Sequence, residues 1–305
     1  MDPQHAITAE NIHKSYAAIK AVNGISFIVY KGEVFSFLGP NGAGKTTTVE
    51  MLEGIRKADS GRINVLGEDP WHSAIKLRDR VGIMPQDFRF IERITPKEAI
   101  RYYCSLFGMP DKSRELLELV ELSEVQDVYF QNLSGGQKQK VGICLALVND
   151  PELVFLDEPT TGLDPKARRK IWDLIRKLKS EGRTVILTTH YLEEAQMLAD
   201  RVAIMDHGRI IVEGSPADII QKMGKGRKLI VQYTEELFRH LSEVLGLECS
   251  RSGDSLSVTV HSNRDVMDVL EFADRSRIEL TSLSLKEDTL EDIFVDLVTE
   301  QEESQ

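Results

Sequence analysis

Gly39-Pro40-Asn41-Gly42-Ala43-Gly44-Lys45-Thr46 is the stretch on which the reading of this chain turns. It fits G-x-x-x-x-G-K-[ST], a phosphate-binding loop, a pattern that carries weight only between a strand and a helix. Val34, Phe35, Phe37 and Leu38 ahead of it predict a buried strand over 33–38. Residues 46–53 behind it predict a helix that Gly54 closes. In that setting three glycines let the backbone wrap close to an anion, with its N–H groups turned inward and a helix N-terminus behind them. Lys45 is expected to neutralise β- and γ-phosphate oxygens, and the hydroxyl of Thr46 to ligate Mg²⁺. A chance glycine turn before a core helix is the bland alternative, and the flanking strand and helix argue against it.

The 305 residues suit one large domain or two ordinary ones. The longest apolar runs are a few residues, far short of the ~20 that span a bilayer. Met1-Asp2-Pro3-Gln4-His5 has neither a basic flank nor an apolar stretch, so no secretory leader is expected. Cys104, Cys144 and Cys249 form no metal-binding spacing and no disulfide framework, which fits a reducing compartment. The net charge of −11 is unevenly placed: from Gly226 onward there are 8 Lys+Arg against 18 Asp+Glu. That asymmetry predicts two units and argues against nucleic acid or anionic lipid as a partner of the acidic one.

Further along, Ala6 to Tyr30 reads as two or three short strands with Tyr16 in a polar turn. Tyr16 is either a half-buried packing residue or an adenine-stacking one. Gly61–Val65 and Val81–Met84 read as strands, and Gln86 just past the second either opens a turn or reaches a metal ion and a water. Thr95-Pro96-Lys97-Glu98 has the form of an N-cap with proline at the first helical position. It starts a helical insert with a second helix at 114–122. Leu133-Ser134-Gly135-Gly136-Gln137 precedes a helix over 137–148, and is either an ordinary cap or a second anion site made of a hydroxyl and bare glycine amides. The apolar run Leu153–Leu156 suits a central parallel strand. It ends in Asp157-Glu158, where open α/β sheets place chemistry. Asp157 is expected to hold Mg²⁺, and Glu158 to orient or deprotonate water. A helix over 166–180 and a strand over 184–188 follow, delivering His190 to the same sheet edge, where a γ-phosphate contact competes with a capping role. Arg201–Met205 is one more strand, with a hairpin turn at 206–209. Beyond a boundary at 216–228 the predicted order is strand 228–233, helix 235–245, strands 248–251 and 255–260, helix 264–273, strand 278–285 and helix 289–299. Leu290, Ile293, Phe294, Leu297 and Val298 mark one face of that last helix. This order is ferredoxin-like.

Taken together these residues resemble the ATP-binding-cassette ATPases over Ile7 to about Pro216. Tyr16 sits where that family has its adenine-stacking aromatic. Gly39 to Thr46 matches its phosphate loop (with Thr47 beside it), and Gln86 its glutamine loop. Leu133 to Gln137 reads LSGGQ, the family's signature. Leu153 to Glu158 matches the magnesium-binding strand and catalytic glutamate, Gly162-Leu163-Asp164 the aspartate loop, and His190 the switch histidine. Lys140 stands where many members have arginine, and Cys144-Leu145 where Ala-Arg is common. The extension is similar to that of ATPase subunits of multidrug and related exporters. The resemblance implies catalytic roles for Glu158, His190 and Gln86. It implies nucleotide contacts from Tyr16, Gly39, Pro40, Asn41, Gly42, Ala43, Gly44, Lys45, Thr46, Thr47, Ser134, Gly135, Gly136, Gln137 and Asp164, and Mg²⁺ ligation by Thr46, Gln86 and Asp157.

The expected fold class is therefore α/β. It comprises a P-loop NTPase core with an antiparallel β subdomain and a helical subdomain at about 87–148, all within 1–220. A small ferredoxin-like α+β domain follows at 226–300, and a disordered tail at 301–305. The expected function is ATP hydrolysis with Mg²⁺ in a head-to-tail dimer, identical or mixed, driving a separate transmembrane permease, with export the expected direction. The expected location is the cytoplasmic side of the cell membrane, peripheral, with no lipid anchor and no nucleic-acid partner. The alternative is a soluble ATPase of the same family acting on a ribosome, nucleic acid or assembly partner. A regulatory module sensing a small ligand is a third reading.

Overall fold

The computed structural model describes residues 4–86, 88–224, 226–280 and 282–303, with side chains as far as 297. The chain divides after Pro216 into two compact units, at the first residue of the boundary expected over 216–228. In chain order the first unit contains β1 (His5–Tyr16), β2 (Ile19–Tyr30), β3 (Val34–Leu38), α1 (Lys45–Leu52), β4 (Ser60–Val65), α2 (Ala74–Leu77), β5 (Val81–Met84) and α3 (Pro96–Leu106). It continues with α4 (Ser113–Leu119), α5 (Gly135–Leu147), β6 (Leu153–Asp157), α6 (Pro165–Ser180), β7 (Thr184–Thr189), α7 (Leu192–Leu198), β8 (Arg201–Asp206) and β9 (Arg209–Gly214).

The central sheet has the order β5-β6-β7-β3-β8-β9, parallel except for β9. Every residue of β3, β6 and β7 is buried, as strands covered on both faces require. Alternate side chains separate two cores. Phe35, Phe37, Leu153, Phe155 and Ile186 meet the three-stranded antiparallel sheet β2-β1-β4 and helix α1, with Phe27 in edge contact with Phe37. Val34, Val154, Leu156, Val185 and Leu187 meet the helices on the other face. Both outer layers thus hold one sheet whose carboxyl edge carries the loops of interest.

Helix α3 begins as its sequence requires. The Thr95 hydroxyl accepts from the Glu98 N–H at 3.2 Å, Glu98 accepts from the Thr95 N–H at 2.9 Å, and Pro96 opens the first turn. Gly82 marks the contact between β5 and α5. A Cβ there would stand 1.9 Å from the carbonyl oxygen of Ala146.

The second unit contains α8 (which starts at Pro216 and runs to Met223), β10 (Arg227–Gln232), α9 (Glu235–Arg239), β11 (Cys249–Ser252), β12 (Ser255–Val260), α10 (Asn263–Arg275), β13 (Leu283–Glu287) and α11 (Leu290–Glu303). Its sheet, β11-β12-β10-β13, is antiparallel throughout, with α9 and α10 as the two connections, the ferredoxin-like arrangement. Leu229, Val231, Leu256, Val258 and Val260 form its core with Leu237, Leu241 and Val269.

Five details depart from the sequence expectations. Residues 216–223 form a helix rather than a linker, because Ser215-Pro216 places proline where a first turn needs no N–H. Short helices α2 and α7 lie where none was expected. The helix expected over 235–245 is α-helical only to Arg239 and continues as a π-helical turn over His240–Val244. The last strand starts at Leu283 rather than Ile278, since Arg277 (φ 54°) and Ile278 close α10 by donating to the carbonyls of Asp274 and Ala273. Residues 301–303 continue α11 where a disordered tail was expected, in a Glu- and Gln-rich run that favours helix; residues 304–305 and the side chain of Val298 lie outside the described residues.

Gly82→Ala is expected to destabilise the protein by about 1–3 kcal/mol, the range for overpacking. Urea unfolding with an unchanged slope would show that the loss comes from the β5–α5 contact rather than from a changed unfolded state.

Candidate functional site

The loop after β3 is held open by backbone geometry. Gly44 has φ 100°, and a Cβ on it would lie 2.2 Å from the carbonyl of Ala21. The turn between β8 and β9 braces the loop, with the Gly208 N–H donating to the carbonyl of Ala43 at 3.1 Å. Lys45, only 5% exposed, points back along the loop and donates to the carbonyls of Gly39 (2.7 Å) and Pro40 (3.0 Å). Burial lowers its pKa, and the charges of Glu158 and Asp157 oppose that shift. Asn41, Gly42 and Thr46 are exposed, Pro40 and Thr47 are partly buried, and Ala43 is buried.

Strand register sets the rest of the edge. Met84 pairs with Leu156, Asp157 with Thr188, and Thr189 with Leu38. The residues that follow, Gln86, Glu158, His190 and Gly39, therefore leave neighbouring strands at one end of the sheet. Asp157 is 5% exposed and accepts from the Thr188 hydroxyl. Burial raises its pKa, Thr188 lowers it, and Glu158 raises it again. Glu158 has φ 48°, a left-handed backbone rarely taken by a long side chain. Its N–H donates to the carbonyl (3.1 Å) and hydroxyl oxygen (3.0 Å) of Thr188. Its carboxylate accepts from the Thr161 hydroxyl at 2.9 Å and lies 3.2 Å from Nδ1 of His190. The structure thus brings Lys45, Asp157, Glu158 and His190 into one cluster. Gln86 is exposed at the same edge, without a hydrogen bond to the cluster among the described residues. Thr188 and Thr161 were not singled out from sequence. Only the pairing register, and the three-residue step from Glu158 to Thr161, disclose them.

The signature residues stand apart. Ser134 caps α5: its hydroxyl accepts from the Gln137 N–H (3.3 Å) and Gln137 Oε1 accepts from the Ser134 N–H (2.9 Å). Gly135 and Gly136 are the first two residues of that helix. They line a concave surface with Gly162, Leu163, Asp164 and Lys166, and no residue of the Gly39–Thr46 loop belongs to it. Asp164 caps α6, accepting from the N–H groups of Lys166 (2.9 Å) and Ala167 (3.0 Å), and the Ala167 bond is the main cause of its lowered pKa. Tyr16 ends β1, with the Arg56 guanidinium 5.3 Å and the Lys14 ammonium 5.9 Å from its ring centre.

A phosphate loop behind a buried lysine and an acidic pair on the next strand but one define a P-loop nucleotide hydrolase. The family description "ABC transporter" matches residues 22–161, and "ATP-binding protein DrrA1-3-like, C-terminal domain" matches residues 214–298. The daunorubicin/doxorubicin resistance ATP-binding protein DrrA of Streptomyces peucetius is 36% identical over 306 residues, covering 97% of this chain and 93% of its own. The linearmycin resistance ATP-binding protein LnrL of Bacillus subtilis is 35% identical over 305 residues, covering 95% and 97%. A Nod factor export ATP-binding protein I of a Rhizobium species is 42% identical over 222 residues, covering 71% and 73%. Among solved structures, an ATP-binding subunit of an ABC transporter superposes with a TM-score of 0.66 at 28% identity, covering 72% of this chain and 93% of that one. A bacterial ABC transporter cassette solved as a dimer gives 0.62 at 27%, covering 68% and 98%. The chain belongs to the ABC transporter ATPases. It is an ATP-hydrolysing, ATP-binding subunit of an exporter-type ABC transporter. No helix among the described residues is long and apolar enough to cross a membrane.

One further carboxyl lies close to this cluster. Glu53, at the end of α1, is pushed up to about 8, first by burial and then by the charges of Asp157 and Glu50. The protonated form is the one the fold favours. Its contribution to stability is complete below the ordinary value of 4.5 and is lost as pH rises through about 8. Glu53→Gln is expected to flatten the fall in melting temperature between about pH 5 and 9. Parallel melting curves of both proteins across that range would contradict the assignment.

Proposed function

We propose that two cassettes meet head to tail, each closing its signature helix over the nucleotide held by the other. One observation carries this reading. The loop with Lys45 and the surface with Ser134, Gly135 and Gly136 are two anion-seeking helix N-termini on separate parts of one unit. ATP lies with its β- and γ-phosphates against Lys45 and the loop amides of Gly39 to Thr46, and its adenine on Tyr16. Ser134, Gly136 and Gln137 of the second subunit, identical or different, complete the γ-phosphate site, and Asp164 shapes the wall beside it.

Mg²⁺ fits the donor set. Thr46 offers a hydroxyl, Gln86 an amide oxygen and Asp157 a nearly buried carboxylate, all hard oxygen ligands. When bound, the ion neutralises charge on the phosphate oxygens. Glu158, held by Thr188 and Thr161, accepts a proton from water as the water oxygen bonds to the γ-phosphorus and the bond to the ADP oxygen breaks. His190, 3.2 Å from Glu158, holds the γ-phosphate in line. Loss of the bridging phosphate contact loosens the two halves, a change between two states that a transporter can use.

The work is delivered to a separate transmembrane permease, with the subunit peripheral on the inner face of the cell membrane. An apolar groove offers a surface for that coupling. It is lined by Leu77 at the end of α2, by Val81 at the start of β5, and by Tyr103, Phe107 and Leu145 of the helical insert. Exposed Tyr102 and Leu106 extend the apolar surface of α3.

Glu158→Gln is expected to keep nucleotide binding while turnover falls about 10²-fold or more, the scale for loss of a general base. Phosphate release at a normal rate would remove Glu158 from that role. Ser134→Arg is expected to abolish ATP-driven dimers on size-exclusion chromatography while leaving ATP bound to the monomer. Dimers that survive this change would sink the head-to-tail arrangement.

A further inference from the structure

Glu194 is fully buried on α7, four residues beyond His190, and nothing in the hydrolytic scheme uses it. A buried carboxylate is costly unless its surroundings satisfy it. One oxygen, Oε1, accepts from the indole N–H of Trp172 on α6 at 2.9 Å. The other, Oε2, is sealed from water without a hydrogen bond of ordinary geometry among the described residues. Burial raises the pKa of this carboxyl, and Thr189, Thr160, Trp172 and the charge of Arg168 oppose that shift, while Thr160 Oγ1 and Arg168 Nε are likewise buried without a hydrogen bond among the described residues.

Thr189 is the last residue of β7 and is 1% exposed. Its hydroxyl oxygen accepts from the N–H of Tyr191 at 3.0 Å, bridging over His190. The same hydroxyl lowers the pKa that burial raises on Glu194, without a hydrogen bond of ordinary geometry to its carboxylate among the described residues. Arg168 acts on the same carboxylate and places its guanidinium 4.2 Å from the centre of the Tyr191 ring. The Tyr191 ring in turn lies 4.1 Å from the ring of His190. His190 is thus bounded by a backbone clasp at Thr189–Tyr191, by an aromatic ring clamped from α6, and by Glu158.

We propose that Glu194 is a positioning residue for His190. Through Thr189 and through Arg168 on Tyr191, it fixes the imidazole against Glu158 and ties that geometry to α6, the helix that Asp164 caps. This inference rests on the reading of His190 and Glu158 as the hydrolytic pair. A carboxylate that served only to hold α7 on α6 would give a different outcome: its loss would lower stability without separating turnover from nucleotide affinity.

The test uses the full-length chain. Thr189→Val removes the hydroxyl at nearly constant volume, Thr189→Ser keeps it, Glu194→Gln removes the charge, and His190→Ala is the reference. Turnover by phosphate release and ATP affinity by displacement of a fluorescent nucleotide are measured for each, alongside melting temperature. Thr189→Val and Glu194→Gln are expected to lower kcat about tenfold or more, with ATP affinity held within about twofold and Thr189→Ser restoring turnover. Should Thr189→Val fail to fold, Glu194→Gln decides alone. Normal kcat in these variants beside an inactive His190→Ala would overturn the positioning role and leave the hydrolytic pair standing, as would a Thr189→Ser defect as deep as that of Thr189→Val. An active His190→Ala would overturn the reading beneath it.

Discussion

Three charges held almost dry at the end of a parallel sheet are the constraint on which this structure depends. Lys45, Asp157 and Glu158 are each less than a tenth exposed. Alone, any one of them would cost several kcal/mol to bury. Lys45 offsets both acids, which repel each other, and it is also bonded to loop carbonyls, while Asp157 is bonded to Thr188 and Glu158 to Thr161. The arrangement works only if β3, β6 and β7 keep their register, because a slip of one residue would turn Asp157 and Thr188 to opposite faces. The two hydrophobic cores either side of the sheet hold that register. Burial far from the chemistry is therefore part of the chemistry.

The left-handed backbone of Glu158 belongs to the same argument. Such a conformation costs on the order of 1–3 kcal/mol and persists where surrounding contacts over-determine it. Here the Thr188 carbonyl and hydroxyl hold its N–H, while Thr161 and His190 hold its carboxylate. The side chain is thus held in place before any substrate arrives, the preorganisation that the proposed general-base role would use. The buried set around Glu194 extends this preorganisation outward to α6 and α7.

The second unit follows a simpler logic. Its four-stranded sheet has one helix-covered face, and buried side chains alternate accordingly along β12 (Leu256, Val258, Val260) and at Leu229 and Val231 of β10, with the partly buried Ile230 between them. Edge strand β13 carries Leu283 and Leu285 half exposed. Most of the chain's net negative charge resides on this unit, so the nearly neutral cassette and the acidic extension differ in electrostatics as well as in fold.

Local pattern was enough for much of this protein. Gly39 to Thr46, Ser134 to Gln137, Asp157-Glu158 and His190 were legible because each is a short run whose spacing is itself the chemistry. The strand order and the longer helices were legible from periodicity, unlike the short α2 and α7, and the Thr95–Glu98 cap from four adjacent residues. The misplaced start of β13 and the helix at 216–223 turned on end-capping, where one residue with positive φ or one proline shifts a boundary. Sequence by itself determined the family and put forward the candidates for binding phosphate and taking a proton, since residue type and spacing carry those motifs. Only the tertiary structure decided that Thr188 and Thr161 hold the acids, that Gly82 lets a helix touch a strand, and that Trp172 meets the buried Glu194. Those partners, except Thr161, come from other segments of the chain, and their contacts depend on pairing register and on packing against the sheet.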